Sequence, residues 1–430
     1  MFKKYDAYKD SSVEWIGNIP AEWSLKKISH VFRNIGSGTT PLSGSDIYYK
    51  NGSINWLQTG DLNDGYIDET SKKITEKALR HYSTLKQYSK GSLVVAMYGA
   101  TIGKVGILNI DTATNQACCV LGANFGVDIK YYFYMLQGFK ADIIRMAYGG
   151  GQPNISQETI KNLRLPFPDL STQHEISKFL DQKTSEIDQA IAIKEQQIAL
   201  LNERKKIVIQ QAVTQGLNPN VAMKDSGVEW IGQIPEHWEI DRLGTILEPI
   251  SKKGYEDKQL LSITREKGVI VRDIKDDSEN HNFIPDDLTN YKLIEAGQFG
   301  MNKMKAWQGS YGVSAYTGIV SPAYYIFRFI KPIYPEFFHW AIRSKLYVSF
   351  FGSASDGVRV GQWDLSKDRM KQIPFVFPSL EQQKTIADYL TQQSELISEG
   401  IKQYSAQIEK LKEYKTTLIN DAVTGKIKVA

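Results

Sequence analysis

Residues 10–23 read DSSVEWIGNIPAEW, and residues 225–238 read DSGVEWIGQIPEHW. Ten of these 14 positions are identical at a separation of 215, including Trp15/Trp230, Pro20/Pro235 and Trp23/Trp238. A second correspondence runs at a separation of 210, where Gln152, Asn154, Ile155 and Ser156 face Gln362, Asp364, Leu365 and Ser366. It continues as LPFPDLSTQHEI (165–176) over FVFPSLEQQKTI (375–386). The chain is therefore written twice, and two units of this size exclude a solenoid of short repeats.

Each copy then carries a helix signal. Pro168-Asp169 and Pro378-Ser379 place a side-chain oxygen where orphan N–H groups need one. Ser379 with Gln382, and Thr172 with Glu175, fit capping boxes. Apolar residues follow at Ile176, Leu180, Ile187, Ile191, Ile198, Leu201, Val208 and Ala212. The second copy repeats them 210 residues on, at Ile386, Leu390, Ile397, Ile401, Ile408, Leu411, Leu418 and Ala422. Steps of mostly three, four and seven put them on one stripe, close to a coiled-coil seam. A helix of about 40 residues spans roughly 60 Å and needs a partner with a matching stripe. The other copy supplies it, so an antiparallel helical pair between two globular units is expected.

Residues 24–150 and 239–360 hold short runs rich in Gly, Tyr, Ile, Val and Thr. Turn signals at Asn51-Gly52, Asp64-Gly65 and Lys253-Gly254 separate the runs, which predicts mixed structure dominated by β. These stretches differ strongly from each other while the frame around them repeats. Ala422-Val423-Thr424-Gly425 ends where the first copy passes through Gly216 and Asn218-Pro219 into its second DSGVEW element. The sequence thus predicts a circular arrangement with the two ends close together and a pseudo-twofold axis. The expected fold class is α+β: two β-rich globular domains separated by two long antiparallel helices. The expected boundaries are 1–165 for the first domain, 166–214 for the central helix, 215–375 for connector and second domain, and 376–430 for the C-terminal helix.

Composition bounds the function. With 430 residues, 42% hydrophobic and 23% charged, the chain has the make-up of an ordinary globular protein of two or three domains. No apolar run approaches the roughly 18 residues that span a bilayer, and no signal peptide is read at the N-terminus. Cys118 and Cys119 are adjacent, which disfavours a disulfide; a cytoplasmic location is expected. The charge balance of +4 permits a nucleic-acid partner without demanding one.

Catalytic constellations are missing from the sequence. It contains no H-E-x-x-H, C-x-x-C or G-x-S-x-G. Gly99-Ala-Thr-Ile-Gly103-Lys104 lacks one spacer of a phosphate loop, and Val105 stands where Ser or Thr is required. Neither the F-x-G-x-G loop nor the Asn/Asp-Pro-Pro-aromatic motif of amino-methyltransferases is present. No catalytic residues and no metal ligands are expected.

The chain resembles the specificity subunits of Type I DNA restriction–modification systems over essentially its full length. The resemblance rests on F-P-x-L-x-x-Q at 167–173 and 377–383, on the doubled V-E-W-I-G-x-I-P, and on GATIGKVG at 99–106. NKMKAWQGSYGVS at 302–314 and GIVSPAY at 318–324 complete it. It implies a non-catalytic, sequence-specific DNA-binding subunit that directs a methyltransferase/restriction complex to a bipartite asymmetric target. Each variable unit is then a target recognition domain for one half-site, and the helices act as spacer and docking surface. The implied partners are double-stranded DNA, two methyltransferase (modification) subunits and restriction subunits, with no membrane. No cofactor is implied on this chain; S-adenosylmethionine and ATP/Mg belong to the methyltransferase and restriction subunits. Two divergent modules on a pseudo-twofold frame read an asymmetric site, with half-sites about one helical turn, roughly 34 Å, apart.

Phosphates are met by Lys and Arg, and base edges by Arg, Lys, Gln, Asn, Ser and Thr. The candidate DNA-binding residues are Thr101, Lys104 and Gln152 in unit one, and Lys303, Lys305, Gln308, Ser310, Arg359 and Gln362 in unit two. The bland alternatives are a tight hairpin with a solvated Lys at 99–104, and an exposed strand face with Lys303 and Lys305 alternating about Met304. Ile176, Leu180, Ile187, Ile191, Leu201, Ile386, Leu390, Ile397, Ile401 and Leu411 are assigned to the spacer and partner-binding helices. Trp15 and Trp230 are expected to anchor frame to module, Cys118-Cys119 to be buried packing, and His174 to be solvated. A second reading from another class is a coiled-coil scaffold carrying two peptide- or sugar-binding modules.

Overall fold

Each apolar stripe folds as one helix, Leu170–Gln215 with 46 residues and Leu380–Val423 with 44. The computed structural model describes residues 2–122, 124, 126–147, 154–272, 285, 287–359 and 362–429. The described chain divides into two units, residues 1–194 with 406–430, and residues 195–405. Each unit contains a stretch of both long helices.

In the first unit those stretches run antiparallel. Lys415 Nζ reaches both carboxylate oxygens of Asp188 at 2.7 Å, and Lys194 Nζ donates to Gln407 Oε1 at 2.5 Å. Ile176, Leu180, Ile187 and Leu418 are buried in the unit's main core, with Ile191 and Leu411 packed at its edge. In the second unit Lys205 Nζ donates to Ser398 Oγ at 3.4 Å, again antiparallel. Leu201 lies 3.5 Å from where a Gly400 Cβ would stand. Ala212, Ile386 and Leu390 enter that unit's core, Ile397 is buried, and Ile401 is half-buried.

The helix starts are set by Asp169 and Ser379. Asp169 Oδ1 accepts from Thr172 N at 2.9 Å and Oδ2 from the Thr172 hydroxyl at 2.8 Å. This corrects the expected Thr172/Glu175 capping box: Thr172 already lies inside the helix and serves the cap rather than being it. The last residue of F-P-x-L-x-x-Q has its own task. Gln173, fully buried, donates to Pro168 O and accepts from Asp128 N at 3.1 Å. Gln383 repeats this, donating to Pro378 O and accepting from Tyr334 N at 2.7 Å. Asp128 and Tyr334 begin the helices Ile129–Gly138 and Pro335–Ile342, so each Gln ties a long helix to a module helix. His174 is solvated as expected, and its Nδ1 also lies 2.6 Å from Asp128 Oδ2.

The first module has a five-stranded sheet in the order Ile35–Gly36, Cys118–Leu121, Leu93–Ala96, Val105–Leu108, Gly65–Ile67, and a four-stranded sheet around Ile54–Leu57 and Thr112–Thr114. Cys118 and Cys119 are buried free thiols whose burial pushes both up to about 12. The second module has a four-stranded sheet, Leu247–Ile250, Tyr324–Phe329, Phe299–Asn302, Tyr311–Val313, with several two-stranded pairs around it. An antiparallel pair closes each module beside its long helix: Ser24–Lys27 with Arg164–Phe167, and Glu239–Arg242 with Pro374–Phe377.

The repeated VEWIGxIP segments pair alike, Tyr8↔Pro20 and Met223↔Pro235. Trp23 and Trp238 are buried against the helix ends. A Cβ on Gly425 would stand 3.0 Å from the Trp23 ring, and one on Gly216 would stand 3.3 Å from Trp238. Both glycines sit at positive φ, so the left-handed turn and the indole contact favour the same residue. Trp15 meets Phe139 edge-on at 4.5 Å, the contact expected of an anchor, whereas Trp230 leans on Phe350 at 5.9 Å but is 58% exposed and anchors little. The two ends of the chain meet in the first unit, where Lys428 N donates to Lys3 O at 2.7 Å and the Tyr8 hydroxyl to Gly425 O.

Candidate nucleic-acid interface

The Gly-rich loop of unit one is the turn of a β-hairpin. Leu93–Ala96 and Val105–Leu108 pair antiparallel, and a 3-10 turn at Gly99–Thr101 joins them. Gly99 and Gly103 are at φ +66° and +75°, which an L side chain resists. Unit two builds the same device. Phe299–Asn302 and Tyr311–Val313 pair antiparallel around a 3-10 turn at Ala306–Gln308, with Gly309 at φ +92°.

The two hairpins share strand register and loop length at a separation of 206, although their 3-10 turns are one residue out of step. Ala96 N donates to Lys104 O, and Asn302 N to Ser310 O. Gly91 N donates to Leu108 O, and Gly297 N to Ser314 O. Gly91/Gly297, Gly103/Gly309 and Gly106/Gly312 coincide. This alignment needs no gap and was available in the sequence, but its few identities are all small residues that carry little signal.

The repeated Q-x-N/D-I/L-S motif docks on these turns. Ile155 N donates to Met97 O at 2.9 Å, and Leu365 N to Lys303 O at 3.3 Å. Ser156 and Ser366 cap the short helices that follow, accepting from Thr159 N and Arg369 N. The Ile/Leu and Ser of the motif thus serve the fold.

Unit two gathers its candidates more fully. Lys303 Nζ lies 3.4 Å from Asp364 Oδ2, and Trp307 packs on the partly exposed Trp363 at 5.6 Å. Arg359 and Gln362 pair through their backbones across the strands Ser355–Arg359 and Gln362–Leu365; their side chains lie outside what is described. Lys305 is exposed and Gln308 half-buried at the turn. Lys303 and Lys305 do not alternate on a strand face, because the strand ends at Asn302 and both belong to the turn. Ser310 is buried, 2% exposed, and offers no surface to a groove.

In unit one the Thr101 hydroxyl donates to Tyr98 O at 3.1 Å, and Lys104 is half-exposed. Lys104 and Lys305 form no ion pair among the described residues. Gln152 lies outside the described residues.

Several residues went unnoticed in the sequence. Lys292, whose Nζ donates to Tyr324 O, is held below the usual lysine range by burial and then by Lys367, Lys253 and Lys303. Four lysines from four separate segments thus share one side of unit two, a convergence that only the fold creates. In unit one Asp64 accepts from Val105 N of the hairpin and is itself held by Gln137 and Lys140, and in unit two His339 and Arg343 bond Val313 N and Tyr311 O. Among the described residues no His/Cys/Asp/Glu group could hold a metal, and no helix is long and apolar enough to cross a membrane.

The class these features define is a duplicated α+β protein, each half a module presenting a Gly-turned hairpin beside a long helix. The family follows from comparison. The model for the Type I restriction modification DNA specificity domain matches residues 20–203 and again 235–410, and the chain belongs to that family. It is 25% identical to the Type I restriction enzyme MjaVIII specificity subunit of Methanocaldococcus jannaschii, over 96% of this chain and 94% of that one. Two solved structures share the fold. One concerns complex assembly and conformational transition of the type I R-M system (TM-score 0.66, 12% identity, 94% of this chain and 98% of the other). The other is the HsdS subunit from Thermoanaerobacter tengcongensis (TM-score 0.53, 13% identity, 95% and 98%).

Proposed function

We propose that this chain is the DNA-reading, non-catalytic specificity subunit of a Type I methyltransferase/restriction complex, with one half-site for each module. The observation that carries this is a shared hairpin with unshared turn chemistry. Position for position, Met97, Gly99, Thr101, Ile102 and Lys104 stand against Lys303, Lys305, Trp307, Gln308 and Ser310. A hairpin register held constant while the residues of its turn change suits two modules that read different sequences, hence a split and asymmetric target.

Lys104, Lys303 and Lys305 supply phosphate or guanine contacts, and Thr101, Gln152, Gln308, Arg359 and Gln362 supply base-edge contacts. The lysines around Lys292 track the backbone. The long helices set the distance between half-sites and dock two methyltransferase subunits, which bring S-adenosylmethionine. A restriction subunit using ATP and Mg completes the complex.

The test is a methylome. The chain is expressed with its neighbouring methyltransferase subunit in a methylation-free host, and modified adenines are mapped by long-read sequencing. A split asymmetric motif, methylated on both strands only when this chain is present, is expected. A soluble complex that adds no methylation overturns the reading.

A further inference from the structure

Both reading hairpins are fastened at the same point by different chemistry. In unit one the first residue after the turn is Val105, and its N–H donates to Asp64 Oδ1 at 2.9 Å. Asp64 stands at φ +58° in the Asp64-Gly65 turn. Its second oxygen meets Lys140 Nζ at 3.1 Å, and its carbonyl accepts from Gln137 Nε2 at 3.0 Å. One residue therefore joins the hairpin to the helices Ile129–Gly138 and Lys140–Arg145. The turn rests on the same lysine, since a Cβ on Gly103 would stand 3.1 Å from Lys140 Cγ.

In unit two the position equivalent to Val105 is Tyr311. Arg343 Nη1 donates to Tyr311 O at 2.7 Å, while Nη2 donates to Arg265 O and Glu266 O at 3.0 and 2.8 Å. A guanidinium from the end of a helix here does what a carboxylate does in unit one. His339, one helical turn earlier, accepts from Val313 N at 3.2 Å.

We propose that Asp64 and Arg343 are positioning residues, each orienting the reading turn of its own module and so governing one half-site only. This rests on the two-module reading of function and adds which residues tune each half. Readout of bases tolerates little play, because a hydrogen-bonding edge displaced by about 0.5 Å loses its geometry. The effect therefore falls on discrimination rather than on stability alone.

The test uses the full chain and two readouts. Asp64→Ala, Lys140→Met and Arg343→Met are compared by amide exchange, which needs no DNA. Exchange is expected to quicken in 98–105 for the first two and in 303–313 for the third, each leaving the other hairpin at its wild-type rate. Co-expressed with the methyltransferase, the first two variants are expected to relax the same half-site about tenfold. Arg343→Met is expected to relax the other half-site. Asp64→Asn keeps the acceptor for Val105 N and the left-handed backbone but loses the Lys140 ion pair, and is expected to relax the half-site as Lys140→Met does.

Unchanged exchange at both turns overturns the proposal, as does equal relaxation of both half-sites by any one variant. An Asp64→Asn variant that keeps wild-type discrimination while Lys140→Met loses it also overturns the proposal. If Asp64→Ala does not fold, Lys140→Met still removes the ion pair without touching the left-handed residue. Were the wild-type chain to direct no methylation, the functional reading would fall, and the exchange data would still decide the clamp.

Discussion

At the scale of single residues, His339 shows how the second module's hairpin is tuned. Burial, and then the Arg343 guanidinium, push its pKa from the ordinary 6.5 down to about 4, although it accepts a bond from Val313 N. The folded state therefore holds a neutral imidazole, while the unfolded chain takes up a proton on acidification. Stability from this group is complete above about pH 6.5 and is lost as pH falls towards 4. The loss is at most about 3 kcal/mol, and smaller because the ring is only partly shielded from water. Thermal melts of His339→Gln, which keeps an acceptor without titrating, are expected to depend less on pH between 6.5 and 4 than wild type. Parallel pH profiles for the two would remove His339 from the account. A Cβ on Gly312 would stand 3.1 Å from this ring, and one on Gly268 would stand 3.2 Å from it, so the site also fixes two glycines. None of this was legible in the sequence, where His339 is one of six scattered histidines. Its role comes from Val313 and Arg343, and only the folded strand brings the first of these to it. Asp64 shows the same limit: Asp-Gly announced a turn, and Asp64 does adopt the left-handed conformation, but which N–H its carboxylate would meet 41 residues on was not readable.

At the scale of elements, the helix starts separate what a motif says from what it does. The Pro-Asp and Pro-Ser signals located both long helices, and the stripe from Ile176 to Ala212 marked the face that is buried at its ends. A capping box at Thr172/Glu175 was a misreading, because Asp169 stands three residues earlier with two free oxygens and reaches the same N–H. What the pattern could not express is the buried Gln that ends it. Gln173 and Gln383 each satisfy the first N–H of a module element and a proline carbonyl. Gln173→Leu keeps the volume and orphans the Asp128 N–H, a buried donor that costs about 1–3 kcal/mol; Gln383→Leu does the same to Tyr334. Asp169→Ala, on an exposed cap, is expected to cost about 1 kcal/mol. Denaturant melts that ranked Asp169→Ala as the worst of the three would show the cap, and not the tie, to be the main fastening. The hairpins were half legible for a related reason. Their Gly residues announced tight turns, whereas the shared 206-residue spacing hid behind the 210 and 215 of the frame. Insertions that differ between the modules shift the spacing by a few residues and dilute the match.

At the scale of the whole chain, the duplication was readable because both copies of the frame carry the same indoles, prolines and buried Gln. The helices link the two, and their length is the quantity to alter. Seven residues inserted after Lys194 and seven after Ser405 fall at the border of the two units and add about 10.5 Å to each helix. A heptad nearly preserves the apolar face, drifting by only about 20°. It keeps Lys415 opposite Asp188 and Lys205 opposite Ser398. The expected methylome shows both half-sites unchanged in sequence and the unread gap longer by at most about three base pairs at 3.4 Å each. Each added pair also turns the second half-site by about 34° around the duplex, so weaker methylation at the lengthened target is expected. Insertion into one helix alone breaks the antiparallel register and is expected to abolish directed methylation. An unaltered gap with new half-site sequences would mean that the helices do not measure the distance, and that spacing is read within the modules themselves.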